Sequence, residues 1–583
     1  MVMRDYRPIA CCNVLYKVVS KIPANRLKKL LPSIISENQS AFIKGRLLME
    51  NVLLAAEMVK DYHKESISPR LCITSPSFSV QVNGELAGYF QNKAAMQKKF
   101  RLHPGCSSLS LTHLCFADDL MMFVERSKES VEGALAVFDE FVVWSGLKIS
   151  IEKSTIYMVG VAVEEKARIK RNFPLAEGTL PVRYLGLPLM TQVMRRPDYQ
   201  PLVEKIRCKM NTWTSRCLSY AGRMQLIKSV IMSIVNFWSA AFRLPSQCMK
   251  EVEQLCAAFL WSGPDLITSR AKVAWKEVCK QKDEGGLGIR DLKEVNLVCG
   301  LKLIWRLLSG KSLWSKWIKV NLMKKKSFWE VNQKNQNGSW MWRKLLKIRE
   351  IAKGFYRTEV GNGRHTSFWF DCWNENGVLY DLLGARGFID MGVCKEATVE
   401  DAISRSCRRR RYRTRMLNAV EESLNRVRDN ISGDKEDVSL WRRGSGFKSS
   451  FSTSETWKIM RGDRVKLSTM DRVIHWNPGA DDECVLWIME SSYTSSWSEI
   501  MRLAAEGCNM DRKRLFCFRY AFHIAIYGIW RERNRVRHGE KLMPITVLKK
   551  VTDKGVRNKL SVMRAKGVKG MEDALQLWFG TRV

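Results

Sequence analysis

None of the 17 cysteines stands in a C-x-x-C spacing, and their number is odd. This excludes the disulfide framework of a small secreted domain and points to reduced thiols inside a cell, most of them small core residues. Met1 to Cys12 carries charge and has no apolar signal core, so export is not expected. Long apolar runs are missing as well. Ile231 to Phe242, the longest, is interrupted by Ser233, Asn236 and Ser239 and is read as too short to span a bilayer. Acidic residues are scarce, 59 Asp and Glu against 97 Lys and Arg, a net charge of +38. An excess of that size calls for a polyanionic partner, with nucleic acid first and an acidic membrane surface second. A hydrophobic content of 45% with 20 tryptophans excludes a mere charged tail. At roughly 100–200 residues per domain, the 583 residues allow about three to five units.

What is present is led by Phe116-Ala117-Asp118-Asp119, two adjacent carboxylates between the apolar runs Leu111–Cys115 and Leu120–Val124. The runs predict a hairpin with the aspartates at its turn. Two bare carboxylates side by side repel, and Mg²⁺ takes such oxygen ligands while keeping substrate phosphates in its shell. Asp118 and Asp119 are therefore the candidate catalytic and metal residues, against the plainer reading of an Asp-rich turn.

Along the chain, Asn13 to Leu31 predicts a basic amphipathic helix ended by Pro32, and Leu47 to Tyr62 a second helix. Phe78 to Val82 alternates like a strand before an Asn83-Gly84 turn. Ser127 to Trp144 predicts a helix stopped by Gly146, followed by a strand at Leu147 to Ile151. Residues 160 to 330 look helical, with breaks near Leu185–Pro188 and Ser262–Pro264. Twelve tryptophans lie between Trp213 and Trp373, either as packing or as a base-stacking surface. Seven arginines crowd Arg405 to Arg415, among them Arg408, Arg409, Arg410 and Arg411. Such a run is a phosphate-binding arm, a nuclear-import signal or a solvated linker. A further basic segment, Arg531 to His538, follows the apolar run Phe516 to Trp530 and reads as a helix end exposing cations.

Taken together, these residues resemble the reverse transcriptases of LINE-type (non-LTR) retrotransposons, in the plant form with a C-terminal reverse-transcriptase zinc-binding region. Tyr6–Ile9, Asn13, Lys17, Asn38–Phe42 and Gly45-Arg46 resemble the fingers segments that hold template and nucleotide, Phe116–Asp119 the catalytic box, Gly146–Ser150 with Lys153-Ser154 the segment after it, and Tyr184–Pro188 the start of the thumb. Phe451–Thr453, Trp457, Asp471-Arg472 and Trp476–Gly479 resemble the zinc-binding region, and Ile529–Asn534 the family tail. The resemblance implies DNA synthesis on an RNA template with two Mg²⁺ ions, and nucleic-acid contacts at Arg7, Lys17, Gln39, Arg46 and Lys153, joined by Arg408–Arg411.

The chain departs from that pattern in two places. The family's third carboxylate lies on the first palm strand, yet no aspartate occurs from Tyr62 to Ala117, and Glu85 beside its turn is a poor substitute. The family's Gln-Gly motif is missing as well, and both joins, at Ile73-Thr74 and Gln91-Asn92, are abrupt. Loss of a central strand would leave unpaired edges, so a poorly ordered palm is expected. Near Cys484 the zinc ligands are incomplete, Cys508, Cys517, His523 and His538 lacking the spacing of a four-ligand site, so zinc is not expected. Neither a preceding endonuclease nor a ribonuclease H carboxylate set is recognised. The expected fold is α+β, a right-hand polymerase remnant (1–160 fingers and palm, 161–400 thumb and Trp-rich connection) followed by an Arg-rich linker at 401–440 and a mainly helical zinc-binding-like region with a basic tail at 441–583. The expected protein is a catalytically inactive relative of an RNA-directed DNA polymerase, intracellular and nuclear, with RNA and DNA as partners, Mg²⁺ not productively bound, no membrane, and no small molecule beyond dNTPs. The alternatives are a sequence-independent nucleic-acid binder and a remnant without function.

Overall fold

The computed structural model describes residues 14–60, 70–76, 101–117, 119–125, 127–145, 154–159, 161–172, 175–213, 218–271, 273–324, 326–333, 337–405, 414–431, 433–462, 511–537, 543–568 and 570–580, with Tyr62 and Tyr412. These form two compact units, residues 1–270 with 292–461, and 271–291 with 462–583.

The first unit begins with α1 (Val14–Ile34), which runs past Pro32 and buries none of its residues. By contrast α2 (Leu48–Met58), shorter than the expected 47–62, is buried from Glu50 to Met58. The expected hairpin forms from β2 (His113–Phe116) and β3 (Asp119–Glu125). Between β3 and β4 (Thr155–Val159) lies β1 (Arg70–Pro76), giving the sheet order β2-β3-β1-β4-β5, with β5 at Ala176–Glu177.

This overturns the expectation of bare strand edges. Arg70–Pro76, which spans the abrupt join at Ile73-Thr74, fills the centre of the sheet, pairing antiparallel with both β3 and β4. Cys72 and Ile73 are apolar and buried, which suits a strand covered on both faces. Leu120 to Val124 are all buried, at most 3% exposed. Leu120, Met122 and Val124 join Ile73, Ile156 and the Val131-Ala134-Val137 stripe of α3 (Lys128–Ser145), while Phe123 meets His103 on the other face at 6.2 Å between ring centroids. The predicted strands at 78–82 and 147–151 lie outside the described residues.

Beyond the sheet come α4 (Val163–Asn172), the β6–β7 ladder (Arg183–Tyr184, Leu187–Pro188), α5 (Arg196–Thr212), α6 (Tyr220–Ala241), α7 (Ser246–Ser262), α8 (Leu292–Ser309), α9 (Leu313–Ile318) and α10 (Trp340–Lys347). The helical run containing Ile231–Ala241 spans 22 residues, longer than the apolar stretch within it. Among the described residues α6 is the helix long and apolar enough to cross a membrane by length and composition. It packs against α8 and α2, burying Ile227, Ile231, Val235 and Trp238.

Nine of the twelve tryptophans between Trp213 and Trp373 are buried, Trp342 and Trp369 almost completely, so packing accounts for most of that cluster. A second sheet, β8 (Tyr356–Glu359), β9 (Val438–Arg443) and β10 (Gly446–Lys448), carries Trp441 stacked on Phe355. Asp437 ties the loop before β9 to the Gly361-Asn362-Gly363 turn, accepting N–H bonds from Gly361 and Gly363 at 2.8 and 2.9 Å. Part of the expected linker is packed. Between α11 (Val399–Ser404) and α12 (Arg415–Asn430), Arg405 pairs with Glu421, and Val420 and Leu424 are fully buried with Trp369 and Val399. The unit ends with α13 (Thr453–Arg461).

In the second unit α14 (Arg512–Arg537), α15 (Ile545–Ala565) and α16 (Ala574–Gly580) share a core of Ala521, Val556, Leu560, Ala574 and Trp578. The Trp578 indole donates to Asp553 at 3.0 Å.

Candidate functional site

The hairpin turn that carries the aspartate pair is held by residues from far upstream. Asn38 and Ser40 exchange backbone hydrogen bonds with Cys115, extending the outer edge of β2, and Asn51 Nδ2 donates to the same Cys115 carbonyl at 3.1 Å. Gln39 lies over the turn. Its Oε1 accepts the Ala117 N–H at 3.2 Å, and its Nε2 donates to the Ala117 carbonyl at 3.5 Å. Ala117 has φ +54°, a left-handed conformation that a residue with a Cβ adopts only when its surroundings impose it. The Gln39 amide, bonded on both sides of that residue, supplies the constraint.

Asp119, half-buried, is the first residue of β3. Its neighbours across the sheet are Phe116 on β2 and Pro76 on β1. Directly opposed residues in an antiparallel pair carry their Cβ atoms about 5 Å apart on the same face. That is the distance at which a second carboxylate would share a cation with Asp119, and proline offers no ligand oxygen there. Burial, reinforced by nearby Cys115 and Asp119, pushes the Tyr184 phenol well above its usual range, so this tyrosine stays protonated beside the turn. Among the described residues no group of three His, Cys, Asp or Glu side chains is placed to hold a metal ion.

The sheet, the hairpin and the first turn after it coincide with a family match: residues 72–189 fit the reverse transcriptase (RNA-dependent DNA polymerase) family. An uncharacterized mitochondrial protein of Arabidopsis thaliana is 30% identical over 145 residues, 24% of this chain and 93% of that protein. The chain belongs to that protein's family and carries a reverse-transcriptase domain. A second Arabidopsis thaliana protein, named for ribonuclease H, is 30% identical over 203 residues, 34% of this chain. The chain spans about a third of that relative's length (32%).

Within the reverse-transcriptase domain and its flanks, the expected site residues separate. Asp119 stands at the hairpin, whereas Asp118, Arg7, Lys153 and Arg408–Arg411 lie outside the described residues. Lys17 is exposed on α1, a helix with five cations and no acid. Gln39 and Arg46, both half-buried, are engaged within the chain: Gln39 clamps Ala117, and Arg46 donates to the carbonyls of Ile35, Ser36 and Gln39 at 2.5–2.8 Å. The sequence hid the clamp because its two halves are 78 residues apart. The Asn-Gln-Ser run in the sequence marks the place without revealing the contact.

Proposed function

We propose that this chain is a catalytically silent relative of the RNA-directed DNA polymerases of LINE-type retrotransposons, one that keeps nucleic-acid binding without DNA synthesis. The observation that carries this reading is Pro76 opposite Asp119. Two-cation nucleotidyl transfer needs carboxylates around both metals to hold the attacking and leaving oxygens. With proline at the neighbouring position, Asp118 and Asp119 are short of the third ligand. Were Mg²⁺ bound, these two aspartates would be the residues to hold it. The net charge of +38 supports retained contact with RNA or DNA, and the Arg408–Arg411 run supports a sequence-blind phosphate contact and a nuclear location.

Primer extension on a primed RNA template with Mg²⁺ tests the catalytic half. Wild-type protein and the Asp118→Ala/Asp119→Ala variant should give the same background. Extension by the wild type that the double variant abolishes would overturn the reading. Salt titration of RNA binding tests the other half: affinity should fall steeply with salt, and the slope should flatten when Arg408–Arg411 become alanine. The zinc-binding region belongs to the same proposal as a degenerate segment that holds no zinc.

A further inference from the structure

The loop between α6 and α7 carries an arginine that has no counter-charge. Leu244 is fixed by the buried Asn296 of α8, which accepts its N–H and donates to its carbonyl, both at 3.0 Å. The Arg243 N–H is directed at Met341 of α10. The side chain then crosses α8 at Gly300, where a Cβ would stand 2.9 Å from Arg243 Cδ and 2.7 Å from Ile348 Cδ1. Only a glycine leaves that passage open. At its end Arg243 Nη1 is buried without a hydrogen-bond partner.

Three lysines share this corner. Lys344 is half-buried, and its pKa is lowered by burial first and then by the charges of Lys347 and Arg243. Lys302 stands one turn beyond Cys299 on α8, and both it and Arg243 oppose the burial that raises the Cys299 thiol. None of these four cations has an ion-pair partner among the described residues. Elsewhere in the unit some half-buried cations are paired, Arg306 with Glu50, Lys353 with Asp381 and Arg405 with Glu421, while Lys319 and Arg223 donate to the carbonyls of Leu308 and Phe259. The helix dipole explains lysines in the last turn of α10. It does not explain an arginine brought to them from another element, nor a buried guanidinium nitrogen left without an acceptor. A phosphate supplies the missing acceptors and the missing charge.

We propose that Arg243, Lys344 and Lys347, with Lys302 beside them, bind a backbone phosphate of a nucleic-acid strand. The site lies outside the matched reverse-transcriptase segment, and the proposal rests on the reading that the chain binds nucleic acid.

The test uses the full chain and a fluorescein-labelled single-stranded RNA of about 20 nucleotides. Lys344→Gln/Lys347→Gln should weaken binding about 5- to 20-fold at moderate salt and make the log–log salt slope shallower by roughly one to two units. Its thermal midpoint should be equal or higher, since like charges are relieved. Arg243→Gln should act in the same direction, and the lysine pair keeps the test decisive if that variant folds poorly. Lys205→Gln/Lys250→Gln, removing two exposed charges elsewhere, should change the slope by less than half as much. Equal effects from both pairs, or no effect from the first, would overturn the site while leaving nucleic-acid binding intact. Wild-type protein that binds no RNA would sink the binding reading and the site together. Displacement of the RNA by inorganic phosphate at matched ionic strength would assign the cluster to a free anion and overturn the strand assignment.

Discussion

Arg306 grips Glu50 with two parallel bonds, Nε to Oε1 at 2.9 Å and Nη2 to Oε2 at 2.7 Å, and its Nη2 also reaches the Gly45 carbonyl. The pair joins α2 to α8, and the Glu50 side chain is only 5% exposed. Removing one partner strands a buried charge. Arg306→Ala should therefore cost about 3–5 kcal/mol in urea unfolding, and Glu50→Ala/Arg306→Ala should recover part of that loss. A single variant within about 0.5 kcal/mol of wild type would show that the pair is solvated.

Pro76 marks the position where a metal ligand is wanted. Because it stands opposite Asp119 in the register of β1 and β3, Pro76→Asp should let the two carboxylates share a cation. Mn²⁺ titration followed by electron paramagnetic resonance should show binding tighter by about ten-fold or more than in wild type, lost again in Pro76→Asp/Asp119→Ala. No gain over wild type would mean that the opposed positions do not converge.

Periodicity made much of this fold readable. The unbroken apolar run Leu120–Val124 and the helical spacing of Ser127–Trp144 specify a strand and a helix from local pattern alone, and both elements form, at Asp119–Glu125 and Lys128–Ser145. The fate of Arg70–Pro76 was not readable, because strand order depends on partners that lie 43 residues away or more, as Arg70 opposite Glu125 and Pro76 opposite Asp119 show. A loss of family residues reads as a gap in sequence, whereas a sheet closes with any β-prone segment that reaches it. Cations were the least legible. Arg46 and Arg243 look alike in a sequence, yet one is spent on backbone carbonyls and the other keeps Nη1 buried without an acceptor.

Asp371 gives the unit a pH dependence. Burial is the main cause of a pKa pushed up to about 6 from 3.8, with Asp437 and Glu330 adding to it and bonds from Ser327 and Ser367 opposing it. A carboxyl raised in the folded state binds its proton more tightly there than in the unfolded chain. Its contribution is thus favourable to folding below about pH 4 and is lost as pH rises through about 6, by at most about 3 kcal/mol. Asp371→Asn should remove that component, so the stability difference between variant and wild type should change between pH 4 and 7 and be flat above it. Parallel profiles across the whole range would exclude Asp371 as the titrating group.

Thiol chemistry separates the cysteines by burial. Desolvation pushes the Cys248, Cys256 and Cys372 thiols up to about 12 and Cys517 to about 11, and raises Cys72 and Cys106 further still. Only the thiolate attacks an alkylating reagent, and at neutral pH these groups hold almost none. Cys208 and Cys394 are exposed. Brief iodoacetamide treatment of the native protein, read by peptide mass spectrometry, should label Cys208 and Cys394 at least about ten-fold faster than Cys72, Cys106, Cys256 and Cys372. Labelling in urea should bring the rates together. Fast native labelling of Cys72 would be the informative failure, because that thiol sits in the central strand, and its exposure would mean that the sheet holding Asp119 opens in solution.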